Sequence, residues 1–220
     1  QRALATLASI AHDNADLQVE SCLDQLLGGK LPPELHLDAL EAARRRDTPH
    51  LREKIAQYEA ALDPSDPVAR YRWALEGGSE ERGQFVFFNK TETQCQRCHK
   101  VGDRGSGNTG PDLSDIGHSK RRQYLLESIV TPNRTMAEGY RYAALLTDDG
   151  KQLSGRILEE TPAAVHLEVE ENKEIVIPKD TIEHRKVGLS AMPANLVEKL
   201  TPRELRNLVA FLAAQKKDKP

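Results

Sequence analysis

The sequence has few cysteines, no long apolar run and no dominant charge. Only three of its 220 residues are cysteine, too few for a closed zinc site built from two cysteine pairs. No apolar stretch approaches the roughly 18 residues of a membrane span, so we expect no membrane-spanning helix. Lys and Arg number 31 against 34 Asp and Glu, a net charge of −3. This balance indicates neither nucleic acid nor an anionic membrane surface as a partner.

Two of the three cysteines lie in the run Cys95-Gln96-Arg97-Cys98-His99. In a C-x-x-C-H run each thiol can form a thioether to one haem vinyl group, and the following histidine then faces the iron. A redox dithiol is the alternative, but His99 would be incidental there and no βαβ pattern surrounds the motif. The motif therefore predicts one covalent haem c bound through Cys95 and Cys98, with His99 as an iron ligand. Cys22 lies on a helical apolar stripe and is interpreted as a core residue.

Methionine is also scarce, with Met136 and Met192 its two instances. A six-coordinate c-type haem needs a second axial ligand, normally a methionine sulfur or another imidazole. Met192 is followed by Pro193, which can hold a loop rigid, and we expect Met192 to be that ligand. Met136 is expected to pack, although it stays open as the alternative. His118, His166 and His184 are expected at the surface, and each also stays open as a ligand.

The stretch from Gly105 to Gly110 matches the dinucleotide-binding pattern G-x-G-x-x-G. That fingerprint requires a strand before it and a helix opening through it, whereas here the haem motif precedes it and Pro111 follows. We instead expect a loop over the haem edge. The carbonyl group of Pro111 is predicted to accept the N–H of His99 and so to fix the ring.

Changes in hydrophobic period divide the chain. Residues 1–65 indicate short amphipathic helices like those of HEAT repeats, and two prolines in the run 63–67 mark a boundary. Helical spacing follows over 66–139, starting with a helix after Pro67, and returns over 188–220, where Thr201, Pro202 and Glu204 predict a capped helix. Over 140–187 the period changes to two and predicts five strands, which form an antiparallel barrel or sheet. The predicted strands are Tyr140–Thr147, Gln152–Leu158, Ala164–Val169, Glu174–Ile177 and Ile182–Val187.

Over about residues 66 to 216 the chain resembles the c-type cytochrome superfamily, and more closely a haem-binding domain family common in planctomycetes and verrucomicrobia. The residues that carry the resemblance are Gly83, Phe87, Cys95 to His99, Gly110-Pro111-Asp112-Leu113, Pro132-Asn133, Asp149-Gly150, Gly155, Ser190-Ala191-Met192-Pro193 and the helix from Thr201. The resemblance implies a mainly α fold: a class I cytochrome c-like helical domain over 66–139 and 188–220 with the β segment inserted. It also implies that the helices before residue 65 belong to a HEAT-like linker region of a longer exported protein.

The leading functional hypothesis is a mono-haem electron-transfer module that passes single electrons from a fused or partner dehydrogenase to a downstream acceptor. Haem is normally attached to this motif outside the cytoplasm, so we expect a periplasmic or otherwise exported location. The N-terminus lacks an initiator Met and a signal peptide, which suggests an excised fragment. Two alternatives remain. One is a peroxidase-like haem enzyme with an open sixth position, and the other is a redox-sensing interaction module whose β insertion binds a partner.

Overall fold

The computed structural model describes residues 2–106, 109–134, 136–137, 139–170, 173–188 and 190–216. Four helices precede residue 65: α1 (Arg2–Leu7), α2 (Asp13–Leu27), α3 (His36–Arg46) and α4 (Pro49–Ala60). Five more are α5 (Glu80–Asn89), α6 (Cys95–Cys98), α7 (Ile116–Ser119), α8 (Arg122–Val130) and α9 (Pro202–Ala214). Short 3₁₀ helices span Pro33–Leu35, Ala69–Ala74, Lys179–Thr181 and Leu196–Lys199.

The β segment forms one open antiparallel sheet. Its strands are β1 (Arg141–Thr147), β2 (Gln152–Glu160), β3 (Ala164–Glu170), β4 (Lys173–Pro178) and β5 (Ile182–Val187). They lie in the order β4-β3-β2-β1-β5, so the segment folds back to place β5 beside β1. One face encloses a small apolar core of its own.

The expected fold class is wrong. Helices make up 48% of the described chain and strands 17%, which is a mixed α/β protein and not a mainly α one. A closed barrel was one of the two forms expected for the β segment, and the sheet is open. The physical reason is that the five strands bury one face in a separate core, so they form a second layer of structure and not a minor decoration of the helices.

Local capping explains where several helices begin. In α9 the Thr201 hydroxyl accepts the N–H of Glu204, and the Glu204 carboxylate accepts the N–H of Thr201, which completes the predicted capping box. The Ser79 side chain likewise accepts the N–H of Arg82 at the start of α5. The helix expected after Pro67 is only a 3₁₀ helix over Ala69–Ala74.

The helices share one core. A single cluster of buried apolar residues runs from Leu4 and Leu23 in the first helices to Leu208 and Leu212 in α9. Helix α9 also packs along α5, where a Cβ on Gly83 would come within 2.0 Å of the Asn207 carbonyl oxygen. Close approach of these two helices therefore requires glycine at 83. Within the described residues, no helix is long and apolar enough to cross a membrane.

Candidate functional site

The two motif cysteines lie on a single helical turn. Helix α6 spans Cys95–Cys98 and is preceded by Gln94, whose backbone is left-handed at φ 47°. The N–H of His99 donates to the carbonyl oxygen of Cys95 at 3.0 Å, so the histidine directly follows the turn. Both motif thiols are free and half-buried. The turn thus presents two thiols and an imidazole from five consecutive residues.

The His99 ring is fixed by the loop that follows. Its Nδ1 lies 3.0 Å from the carbonyl oxygen of Pro111, the contact expected from the sequence. A carbonyl oxygen only accepts, so Nδ1 carries the proton and Nε2 of the neutral ring keeps its lone pair. Burial lowers the pKa of His99 and favours that neutral form. The ring is therefore oriented and protonated so that the lone pair of Nε2 can bind a metal.

Gly110 provides the surface on which this ring rests. A Cβ there would come within 2.5 Å of His99 Cε1 and 2.8 Å of Nδ1. The N–H of Gly110 also donates to the carbonyl oxygen of Cys98 at 2.9 Å. A side chain at this position would displace the imidazole, because ring and backbone already lie in contact. Gly107 and Asn108, which the sequence placed in the same loop, lie outside the described residues.

Beside the motif lies a cavity whose empty volume, including its open mouth, is about 1350 Å³. Its described walls are mainly apolar and come from α6 to α9, from the segment before β1 and from the loop before α9. The lining includes all five residues predicted for the site, which are Cys95, Cys98, His99, Pro111 and Met192. An apolar cavity with a few converging polar groups is the usual form of a cofactor site.

Both methionines line this cavity. Met192 lies in a braced loop: its N–H donates to the Ser190 hydroxyl at 3.2 Å, and the Ser190 N–H donates to Asn133 Oδ1 at 2.8 Å. Met136, expected to pack, is half-buried in the wall segment that follows Pro132. Proximity to the cavity therefore leaves both as candidate ligands, while the bracing favours Met192.

The other histidines lie away from the cavity lining that the structure describes. His118 on α7 and His184 on β5 are exposed. His166 on β3 lies 2.5 Å from Glu174 Oε1 through its Nδ1. The exposure of His118 and His184 agrees with the expectation from sequence, whereas His166 is half-buried with Glu174 as its partner.

Sequence reasoning missed several lining residues. Lys120 lies at the mouth with its Nζ 4.6 Å from the centre of the Tyr124 ring, and Tyr140 lines the wall before β1. Thr93 is buried beside Cys95, and its hydroxyl makes no hydrogen bond of ordinary geometry within the described structure. Tertiary packing brings these side chains to one cavity from different parts of the chain, so no local sequence pattern marks them as its lining.

The donor set fits a covalently held haem better than it fits a redox dithiol or a structural zinc site. Burial raises the pKa of the Cys95 thiol, whereas reactive dithiols have a lowered one. Among the described residues, no three His, Cys, Asp or Glu side chains cluster as metal ligands, so that part of the chain offers no closed zinc site. Two thiols and a neutral imidazole beside an open, mainly apolar cavity suit a flat, apolar, iron-containing ring.

The sequence matches no protein-family model and no curated protein.

Proposed function

We propose that this protein is an exported mono-haem c-type cytochrome that passes single electrons between redox partners, either separate proteins or a dehydrogenase fused to it. In this proposal Cys95 and Cys98 hold haem c covalently, and His99 and Met192 are its axial ligands. The observation that carries the proposal is the hydrogen bond from His99 Nδ1 to the Pro111 carbonyl. This bond leaves the lone pair of Nε2, on an imidazole that lines the cavity, available to a metal.

A bound haem would supply a one-electron iron couple, whose potential is raised by methionine ligation. The chain's own residues would set the conditions for it. The Pro111 carbonyl orients the His99 ring, and Gly110 gives the ring room. Leucines of the last helices and of the loop before α9, including Leu196 and Leu208, give the cavity an apolar wall. An apolar wall would keep water from the part of a bound ring that it covers, which favours electron transfer.

In the part of the cavity lining that the structure describes, the acid/base groups that peroxide chemistry needs are absent. Among the lining residues that the structure describes, none is a carboxylate and His99 is the one histidine. A peroxidase-like enzyme requires an acid/base opposite the proximal ligand. The described lining therefore supports an electron carrier over the enzyme alternative.

Attachment of haem is the direct test. The chain, produced with an export signal in a bacterium that matures c-type cytochromes, should gain the mass of one haem that survives denaturation. The double variant Cys95→Ser/Cys98→Ser should lose it, whereas Cys22→Ser, at the third free cysteine, should retain it. A wild-type chain without covalent haem, or equal loss in Cys22→Ser, would contradict the proposal.

Electron transfer is tested separately on the haem-loaded chain. We expect a reversible one-electron wave in voltammetry and negligible turnover of hydrogen peroxide. Rapid cyanide binding together with peroxide turnover would instead identify an enzyme with an open sixth position.

A further inference from the structure

The stretch between α8 and β1 forms one wall of the cavity. Met136, Ala137 and Tyr140 line it, and the Tyr140 N–H donates to the Ala137 carbonyl oxygen at 3.1 Å. Gly139 has a left-handed φ of 75°, a conformation that side chains other than glycine rarely adopt. The described residues of this wall therefore form a turn and belong to no helix or strand, and contacts from other elements can help to hold it.

Those contacts come from the second strand of the sheet. The Arg156 guanidinium lies 5.1 Å from the centre of the Tyr140 ring, and Nη1 donates to the Gly139 carbonyl oxygen at 3.2 Å. On its other side Arg156 binds Glu168 on β3, with Nε at 2.8 Å and Nη2 at 2.7 Å from the same carboxylate oxygen. One arginine therefore joins two strands to the cavity wall.

We propose that Arg156 is a positioning residue, which holds Tyr140 against the cavity and thereby makes the sheet part of the site's construction. The inference rests on the proposed function in that the cavity is taken as the cofactor site. Glu168 fixes the Arg156 guanidinium on the sheet, and the guanidinium in turn holds the Tyr140 ring, which forms part of the cavity wall. The sheet then shapes the part of the cavity wall that Tyr140 forms.

Arginine chemistry suits this role. Its planar fork can donate to a carboxylate and to a backbone carbonyl while its flat face lies over an aromatic ring. A lysine keeps the charge near Glu168 but has no fork and no flat face. Arg156→Lys should therefore loosen the wall nearly as much as Arg156→Met, although it preserves the ion pair.

The sheet also provides a matched control. Arg185 on β5 donates through both Nη atoms to Glu160, at 2.8 and 2.9 Å, and its side chain is 31% exposed against 18% for Arg156. Arg185 is not among the residues that line the cavity in the described structure. Arg185→Met thus removes an arginine–glutamate pair from the same sheet without touching Tyr140, and Glu160 keeps Lys179 as a partner at 2.9 Å.

The test measures amide hydrogen exchange over the peptide that contains Gly139 and Tyr140, and in the haem-loaded protein the rate of cyanide binding. We expect Arg156→Met and Arg156→Lys to speed exchange of this peptide about threefold to tenfold, which corresponds to a loss of about 1 kcal/mol of local stability. Cyanide binding should accelerate by a similar factor. Arg185→Met should leave both rates at their wild-type values.

The outcomes separate this inference from the proposed function. Unchanged exchange in the Arg156 variants, or an equal increase in Arg185→Met, overturns the positioning role even if haem is attached. Conversely, hydrogen exchange can be measured with or without haem, so a chain that carries no haem still tests whether Arg156 positions Tyr140. An increase confined to the Arg156 variants supports the role, whichever way the haem test falls.

Discussion

The Nδ1 of His99 lies 3.0 Å from the carbonyl oxygen of Pro111, twelve residues further along the chain. This contact fixes the protonated nitrogen, the orientation of the ring and the nitrogen left for a metal. It also explains the glycine at position 110, because the loop must pass directly under the imidazole to bring the Pro111 carbonyl into reach.

A side chain at position 110 should therefore displace His99. Gly110→Ala places a Cβ within 2.5 Å of the ring, and overpacking of this kind costs about 1–3 kcal/mol. We expect lower stability, measured by chemical denaturation, together with reduced haem incorporation. Gly102→Ala is the control: a Cβ there meets no atom within 4 Å, so only its positive φ of 61° resists the change. The control should lose some stability and keep its haem, and equal haem loss in both variants would contradict the prediction.

The two cavity-lining methionines should behave differently. Met192 lies in a loop braced through Ser190 and Asn133, so we expect its sulfur to ligate the iron. Met192→Ala should abolish the weak long-wavelength absorption band of methionine-ligated ferric haem and lower the reduction potential. Met136→Ala, which removes the same side chain from another wall, should retain the band. The reverse pattern would show that Met136 is the ligand.

Lys120 should raise the reduction potential. Its ammonium group lies at the mouth of a mainly apolar cavity, and a nearby positive charge favours the less positive, reduced iron. Lys120→Met keeps the length of the side chain and removes the charge, so the potential should fall by on the order of tens of millivolts at low salt. High salt should shrink the difference. A potential that rises or stays constant in voltammetry would sink this prediction.

Whether a feature was predictable from the sequence depends on how far apart along the chain the residues that determine it lie. The capping box at Thr201 and the bounds of β5 were predicted because turn chemistry and alternation are local. The C-x-x-C-H motif and its Pro111 partner also lie close together in sequence. The helix expected after Pro67 forms only a 3₁₀ helix, a difference of backbone geometry that apolar spacing cannot distinguish.

Features that depend on distant segments were not predictable. The fold class was wrong because the sequence shows five strands without showing that they enclose a core of their own. Tyr140 and Arg156 are ordinary surface residue types in a pattern of alternating polarity. Their contact exists because β2 pairs with β1 and so brings Arg156 beside the residues that precede β1.

The sheet should lose stability in acid through Glu160. Arg185 and Lys179 donate to this carboxylate and lower its pKa to about 2. A carboxyl group with a lowered folded pKa stabilises the protein above its unfolded pKa, near 4.5, and this contribution disappears as the pH falls towards 2. At pH 7 Glu160→Gln should cost about 1 kcal/mol, a reduced value because 34% of the side chain is exposed and water screens the pair. The gap to wild type, measured by urea denaturation, should close by about pH 2. Glu159→Gln, with no ion pair in the described structure, should show no such pH dependence.

A buried ion pair should couple the first helices to the helix that lines the cavity. Asp38 on α3 and Arg206 on α9 are joined at 2.7 Å, with side-chain exposures of 1% and 4%. Removal of one partner leaves an uncompensated buried charge, at a typical cost of about 3–5 kcal/mol. We expect Asp38→Ala, which leaves the Arg206 guanidinium buried without its partner, to lower the free energy of unfolding by about that amount, and Arg206→Met to lower it by less because Arg203 still pairs with Asp38.

The double variant Asp38→Leu/Arg206→Met should recover much of the loss, because apolar side chains of similar volume can replace a buried pair with little net change. Arg203 also pairs with Asp38, at 3.2 Å, and keeps Glu41 as its other partner at 2.6 Å, so it is not stranded in the double variant. If the single variants instead unfold in two separate transitions, with only the first helices destabilised, α3 and α9 do not belong to one cooperative unit. A single shifted transition would show that loss of a contact made by α3 is felt throughout the helical core, including the leucines of α9 that line the cavity.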